Sequence, residues 1–381
     1  MLAKDISFGN TRYGFERLFM EIKRYGSQNV SGIICGLESA GNYQKPLADY
    51  LSQQGLNVVL VSTIAVNQNR QMLNVSWDKN DRKDAFTIAD LVSQGKFLFY
   101  HFAEEKYSNA SRMLRVHARL IKEQSRLKVR LRNNVLSVVF PELDRIFKDI
   151  GNPALLSILE KYPSPSYIQE VSEEEFIYSV LPARYSWHYL PRIKSVYQVA
   201  QRSIGSQIGT HGILKELTYI VRDLREVNRR IQEIRKVIQD IFSDFPPYQR
   251  LLSIPGVGPM VAATFVAEIG DITCYNHANQ IIKLAGLDLA SIQSGKYQSQ
   301  RRISKRGKVR LRTAAYYAAI AAIRHNGFRE KYIQIVERKG GDPGAKMKAL
   351  IAIATKILRI VFRLLKDGTI YSEDYGRGEK T

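Results

Sequence analysis

The chain has 381 residues, with 57 Lys and Arg against 36 Asp and Glu, a formal net charge of +21 and a pI near 9.8. That excess points to a polyanionic partner, nucleic acid first and an anionic membrane surface second. An apolar content of 45% excludes wholesale disorder, and the length suits two or three domains. No apolar run reaches the roughly 18 residues of a membrane span, so a transmembrane segment is not expected; of the two polyanions nucleic acid is the expected partner, with no membrane. The opening Met1-Leu2-Ala3-Lys4-Asp5 lacks the pattern of a signal peptide. The two cysteines, Cys35 and Cys274, are far apart, which suits a reducing cytosol and excludes a disulfide scaffold. A cytoplasmic, nucleoid-associated protein is expected.

Residues 1–100 read as α/β. Val30 to Leu37 is a short apolar run typical of a buried strand, and Gly41 to Gln54 has helical spacing through Tyr43, Leu47, Tyr50 and Leu51. Gly55 suits a helix C-cap, Asn57 to Ser62 predicts a second strand, and Asp84 to Val92 predicts a second helix. Strand, helix, strand, helix implies parallel neighbours in one sheet. Residues 103–150 predict one or two long helices with eight basic residues between Arg112 and Arg132. Residues 151–210, rich in proline, read as an irregular or small helical insertion. From Ile213 to Ile241 the apolar spacing alternates three and four, the coiled-coil period. The two long segments can pair within the chain or between subunits. From Tyr248 onward the chain reads as all-helical apart from one basic loop, and Ala345 to Leu365 predicts an apolar closing helix. The expected domains are 1–102, 103–245 with its insertion, and 246–381.

Three features carry chemistry. Glu38 ends the first strand, and Asp81 and Asp84 stand three apart at the start of a helix, where both can share a face. Carboxylates at the C-terminal ends of strands suit a Mg²⁺ site, since Mg²⁺ takes oxygen ligands. The competing reading is that Asp81 caps the helix and Asp84 favours its dipole. The second feature is Ile254-Pro255-Gly256-Val257-Gly258 between apolar helices, a helix-hairpin-helix signature in which Gly256 and Gly258 let backbone approach a phosphate; an ordinary core hairpin would look the same. The third runs from Leu284 to Arg312. Here Ser294-Gly295-Lys296 is followed by Arg301, Arg302, Lys305, Arg306, Lys308 and Arg310, a density that suits a phosphate backbone. Ser294 beside a cation can be a nucleophile or can simply cap a turn; Ser291 and Ser304 are the other loop serines.

In this order the three features resemble the DEDD transposases of the Piv/MooV invertase group, insertion-sequence recombinases associated with guide or bridge RNAs. The matching pieces are Gly36-Leu37-Glu38-Ser39-Ala40-Gly41, Lys79-Asn80-Asp81-Arg82-Lys83-Asp84-Ala85, the hairpin at 254–258, and Ser294-Gly295-Lys296 leading to Ile303-Ser304-Lys305-Arg306-Gly307. The resemblance implies an RNase H-like (RuvC-like) N-terminal domain, a coiled-coil spacer and an all-α C-terminal domain. It implies that Glu38, Asp81 and Asp84 hold Mg²⁺ and that Ser294 attacks DNA. It also implies DNA ends and a guide RNA as partners, and a homodimer or homotetramer.

The family's acidic set begins with an Asp on a first strand, in a Gly-x-Asp context. Met1 to Phe8 here matches the family's second strand, so a truncated N-terminus lacking the first strand and its Asp is expected. Two functions follow: a Mg²⁺-dependent transposase or site-specific recombinase, or a catalytically impaired relative that only binds DNA or RNA.

Overall fold

A computed structural model describes residues 6–25, 32–39, 42–74, 81–99, 105–180, 189–206, 208–290, 293–294, 297–298 and 302–372. The chain divides into two compact units, Met1–Ala103 and Glu104–Thr381.

The first unit contains α1 (Arg12–Tyr25), β1 (Ile34–Glu38), α2 (Gln44–Gln53), β2 (Asn57–Val61), α3 (Thr63–Asn74), α4 (Asp81–Ser93) and β3 (Leu98–Phe99). The sheet order is β1-β2-β3, with β1 and β2 parallel and β3 antiparallel to β2. A parallel pair needs a crossover, which α2 supplies. Gly55, at φ +83, follows the end of α2 where the sequence places a C-cap glycine. Alternate β2 side chains serve opposite faces: Val58 packs with Phe19, Ala48 and Leu51, and Val61 with Val66 and Leu91. Gly36 is where β1 meets α4. A Cβ there would stand 2.8 Å from Val92 Cγ2 and 2.9 Å from Ile88 Cγ2, so a larger residue would push the helix off the sheet. Helix α3 is not apparent from the sequence: it follows β2 directly and has no buried apolar stripe long enough to register. The strand expected over Met1–Phe8 is absent at residues 6–8, and residues 1–5 lie outside the described set.

The second unit begins with α5 (Glu105–Arg130), which runs into a π-helical stretch, Leu131–Leu136. It continues through α6 (Ser137–Val139), α7 (Leu143–Ile146), α8 (Pro153–Lys161), α9 (Pro165–Gln169), α10 (Glu173–Val180) and α11 (Leu190–Ala200) to α12 (His211–Phe242). The long helices α5 and α12 pair with each other in antiparallel fashion. Tyr107 meets Phe245 at 5.8 Å between ring centroids, Arg235 Nε donates to His117 Nε2 at 3.4 Å, Gln124 Nε2 donates to Asn228 Oδ1 at 2.5 Å, and Arg130 bonds Glu216 at 2.6 Å. Burial and the Arg235 charge hold His117 below the usual histidine range. The coiled-coil period is therefore satisfied inside one chain.

The described residues of 151–210 take the helical form of the two readings, with α8 to α11 among them. They build their own core at the far end of the helical pair, where Phe140, Phe147, Phe176, Ile193 and Val196 join Leu217, Ile220 and Leu224 of α12. At the other end, Leu114 of α5 and Ile238 and Phe242 of α12 enter the C-terminal core. That core comprises α13 (Pro246–Leu252), α14 (Pro259–Ile269), α15 (Ala278–Ala285), α16 (Val309–Ala322), α17 (Asn326–Arg338) and α18 (Ala345–Asp367). Alanines 315, 318, 319 and 322 of α16 are fully buried, and their small side chains let α14 and α18 approach closely. The basic loop is not plain coil: β4 (Leu289–Ala290) pairs with β7 (Arg302–Ile303), and β5 (Gln293–Ser294) with β6 (Tyr297–Gln298), both antiparallel. The C-terminal core is thus helical as expected, and the strands correct the all-α reading only at the basic loop, where a small β-ribbon forms.

Candidate functional site

The acidic residues lie in the first unit. Glu38 is half-buried at the C-terminal end of β1 and pairs in register with Val61. It is two residues beyond Gly36, so strand alternation sends it to the side of the sheet covered by α4. Asp81 and Asp84 open α4, Asp81 exposed and Asp84 buried. Asp84 Oδ1 accepts from Arg70 Nη1 of α3 at 2.6 Å, with the two side chains only 12% and 11% exposed. Arg70 Nη2 also donates to Asn67 Oδ1 at 2.9 Å. A carboxylate this buried needs a counter-charge, and Arg70 supplies it. Arg70 carries no signal in the sequence, because nothing in its own neighbourhood marks it.

Three carboxylates are the right donors for Mg²⁺. Asp84 is paired with Arg70, and among the described residues no three Asp, Glu, His or Cys side chains are grouped to hold a metal.

The hairpin and the ribbon lie in the second unit. Pro255 and Gly256 form the tip of a tight turn, closed by Val257 N–H donating to the Ile254 carbonyl at 3.0 Å. Gly256 has φ +85, as the third residue of a type II turn requires. Its missing Cβ faces inward. A methyl there would stand 2.5 Å from the Ala322 nitrogen and 2.8 Å from the Ala318 oxygen of α16. Packing against α16 therefore accounts for Gly256, whereas Gly258, the N-cap of α14, faces open space.

The base of the ribbon is held by a set of internal bonds. Ser304 Oγ donates to Asp288 Oδ1 at 2.5 Å and Ser304 N–H to the Asp288 carbonyl at 2.8 Å. Lys305, at φ +53, donates its N–H to Gly286 O, and Arg312 Nη1 bonds the carbonyls of Ala285 and Lys305. Gly307 packs against Gly286, since a Cβ on Gly307 would stand 2.7 Å from the Gly286 nitrogen and 2.4 Å from the Leu284 oxygen. Ser294 is the register partner of Tyr297, the last pair of the β5–β6 ladder. Ser291, Gly295, Lys296 and Arg301 lie outside the described residues.

The basic residues divide into two groups. Arg302, Lys305 and Arg306 are exposed. Lys308 and Arg310, expected on phosphate, are instead tied to Glu268 of α14. Arg310 Nε donates to Glu268 Oε1 at 2.6 Å; Lys308 Nζ donates to the Glu268 carbonyl at 2.7 Å and stands 3.7 Å from its carboxylate. Each charge sits at the unfavourable end of its helix, the carboxylate in the last turn of α14 and the cations at the start of α16. Placed together they neutralise one another. Burial, and then the Arg310 charge, hold the Lys308 ammonium below the usual lysine range, while Glu268 pulls the other way.

Two family profiles match the chain, one at each end. A DEDD transposase profile of the IS110 type covers residues 1–141, and the profile described as Transposase IS116/IS110/IS902 family covers 248–334. Both ends of the chain are thus similar to IS110/IS116/IS902 transposases. It is 25% identical over 345 residues to the insertion element IS116 uncharacterized 44.8 kDa protein of Streptomyces clavuligerus, covering 88% of this chain and 83% of that protein. The transposase for insertion sequence element IS1111A of Coxiella burnetii is 24% identical over 296 residues, covering 76% of this chain and 68% of that one. The first profile implies an RNase H-like fold for a region the structure shows as a short three-stranded sheet with helices on both faces. Among the described residues, no helix of the chain is long and apolar enough to cross a membrane.

Proposed function

We propose that the chain cuts and joins DNA at the ends of its own mobile element, with Ser294 as nucleophile. The observation that supports this is the place of Ser294. It closes the inner strand pair of a ribbon whose base is internally bonded and presents Arg302, Lys305 and Arg306. In the first step Ser294 Oγ loses its proton and forms a bond to the scissile phosphorus. The ester bond to one sugar oxygen breaks, and that oxygen takes up a proton. In the second step a hydroxyl of the incoming strand loses its proton and attacks the same phosphorus, and Ser294 Oγ leaves and takes up a proton. Arg302, Lys305 and Arg306 would hold flanking phosphates and offset developing charge; Lys296 and Arg301 belong to the same proposal. Gly258 offers backbone to a phosphate in the hairpin.

The proposal extends to a guide or bridge RNA and to a homodimer or homotetramer. Incubation with element-end DNA, the element's transcript and Mg²⁺ is expected to give a protein–DNA adduct that survives denaturation. Ser294→Ala is expected to abolish it. An adduct that persists in that variant removes Ser294 from the role, and an unchanged yield without the transcript removes the RNA.

Mg²⁺ dependence is proposed on donor chemistry alone. Since Arg70 occupies Asp84, Arg70→Gln is expected to enlarge the rise in thermal midpoint that Mg²⁺ produces. An equal rise in both proteins would detach Asp84 from metal binding.

The second reading, nucleic-acid binding without strand cleavage, is favoured by the carboxylates, which are not grouped around a metal position among the described residues. Salt-sensitive DNA binding with no adduct under any divalent ion would establish it.

A further inference from the structure

The second unit contains a cavity of about 610 Å³ lined by Pro255, Arg324, His325, Lys331, Lys356 and Tyr371 among others, none of them in the ribbon. Its volume is that of a small-ligand site. Three cations line it, Arg324, Lys331 and Lys356, against one carboxylate, Glu330. One side carries half-buried Tyr371, which stacks on core Phe328 at 6.3 Å between ring centroids and 21° between planes, and Lys356 Nζ stands 5.6 Å above the Phe328 ring. Tyr371 is fixed by its N–H, which donates to Ser253 Oγ at 2.8 Å, one residue before the hairpin turn that contributes Pro255. Burial and the nearby Lys331 charge hold the Lys356 ammonium below the usual lysine range, as expected where cations share a partly enclosed space.

Cations that converge on a concavity with aromatic surface beside them suit a ligand with both an anionic and a flat part. A nucleotide has both. A duplex is too wide to enter such a cavity, whereas one residue of a single strand can, with its phosphate toward the cations and its base or sugar against Tyr371. We propose that this cavity binds one nucleotide unit of a single nucleic-acid strand, held by Arg324, Lys331 and Lys356 beside Tyr371. The inference rests on the proposed nucleic-acid function, but requires neither Ser294 nor a metal. DNA and RNA share the chemistry, so both are tested.

The experiment labels exposed lysine amines of the full chain and reads each site by mass spectrometry. Labelling is done with no ligand, a short oligodeoxythymidine, a short oligouridine, a duplex, or polyglutamate; retention of each ligand is measured separately. At a strand concentration of twice the dissociation constant, Lys331 labelling is expected to fall about threefold with at least one single strand. Exposed Lys194 on α11 serves as the unprotected reference. The strand that protects better identifies the source. Both Arg324 and Lys331 are exposed, so an R324Q/K331Q chain keeps its fold. It is expected to lower the salt slope of single-strand binding by about 0.7 for each phosphate no longer neutralised. A retained strand that leaves Lys331 fully labelled overturns the inference while sparing the proposed function. Equal protection by polyglutamate or by duplex also overturns it. A chain that retains no nucleic acid overturns both.

Discussion

Gly256→Ala is expected to destabilise the unit Glu104–Thr381 by about 3 kcal/mol, combining left-handed strain and overpacking. The backbone at φ +85 is one that alanine adopts only under strain, and the new methyl would meet backbone atoms of α16 at 2.5 and 2.8 Å. Neither atom belongs to a side chain that can rotate away, so the turn or the helix has to shift. Gly258→Ala is the control. Its φ is −85 and no heavy atom lies within 4 Å of the position a methyl would take. It is expected to cost less than about 1 kcal/mol, the scale of an N-cap change. Urea unfolding followed by circular dichroism measures both. Equal midpoints for the two variants would mean that the approach of α16 is not what selects glycine at position 256. If the hairpin serves phosphate, Gly258→Ala should weaken DNA binding while leaving the fold intact.

Glu268→Gln is the second large effect, expected to cost about 2–3 kcal/mol, below the roughly 3–5 kcal/mol of breaking a fully buried ion pair from one side. The smaller figure follows from solvent screening, because the Lys308 and Arg310 side chains are 46% and 33% exposed. Glutamine preserves shape, so the loss reports charge. Two cations would then face each other with no anion between them. The pH dependence has a definite sign. Lys308 has a lowered pKa in the folded chain. Between that value and the ordinary lysine value the unfolded chain binds more protons, so stability rises with pH across this window. Removing Glu268 takes away the pull that opposes the lowering, so the window extends further down. The deficit of Glu268→Gln should therefore shrink as pH rises toward the lysine range, and thermal midpoints of both chains over that range test it. A deficit that stays constant with pH would mean Lys308 does not sense Glu268. Because Lys308 and Arg310 begin α16 directly after the ribbon, the variant is also expected to loosen the base from which Ser294 is held.

Both predictions concern residues whose roles are not visible in the sequence. Lys308 and Arg310 sit in a run of cations that reads as one phosphate-binding stretch, yet the partner that removes them from it lies 40 residues upstream for Lys308. Glu268 reads as an incidental acid in an apolar helix. Gly256 reads as a phosphate glycine, and only the closeness of α16 shows what its missing side chain accommodates. Ser294 and Arg306, by contrast, are marked by their local motif. The structure adds that Ser294 closes a strand pair while Ser304 is already bonded to Asp288.

By itself the sequence determined what is local and periodic: the parallel pair Ile34–Glu38 and Asn57–Val61 with its crossover helix, the helix that begins at Asp81, the long helix His211–Phe242, and the closing helix Ala345–Asp367. Each follows from side chains a few residues apart sharing a face. Tertiary structure alone decided which helix satisfies the coiled-coil stripe of α12, which of the cations face solvent, and which carboxylate is already neutralised by an arginine. Those outcomes depend on residues distant in the chain, where burial forces a charge to find a partner that no local pattern announces.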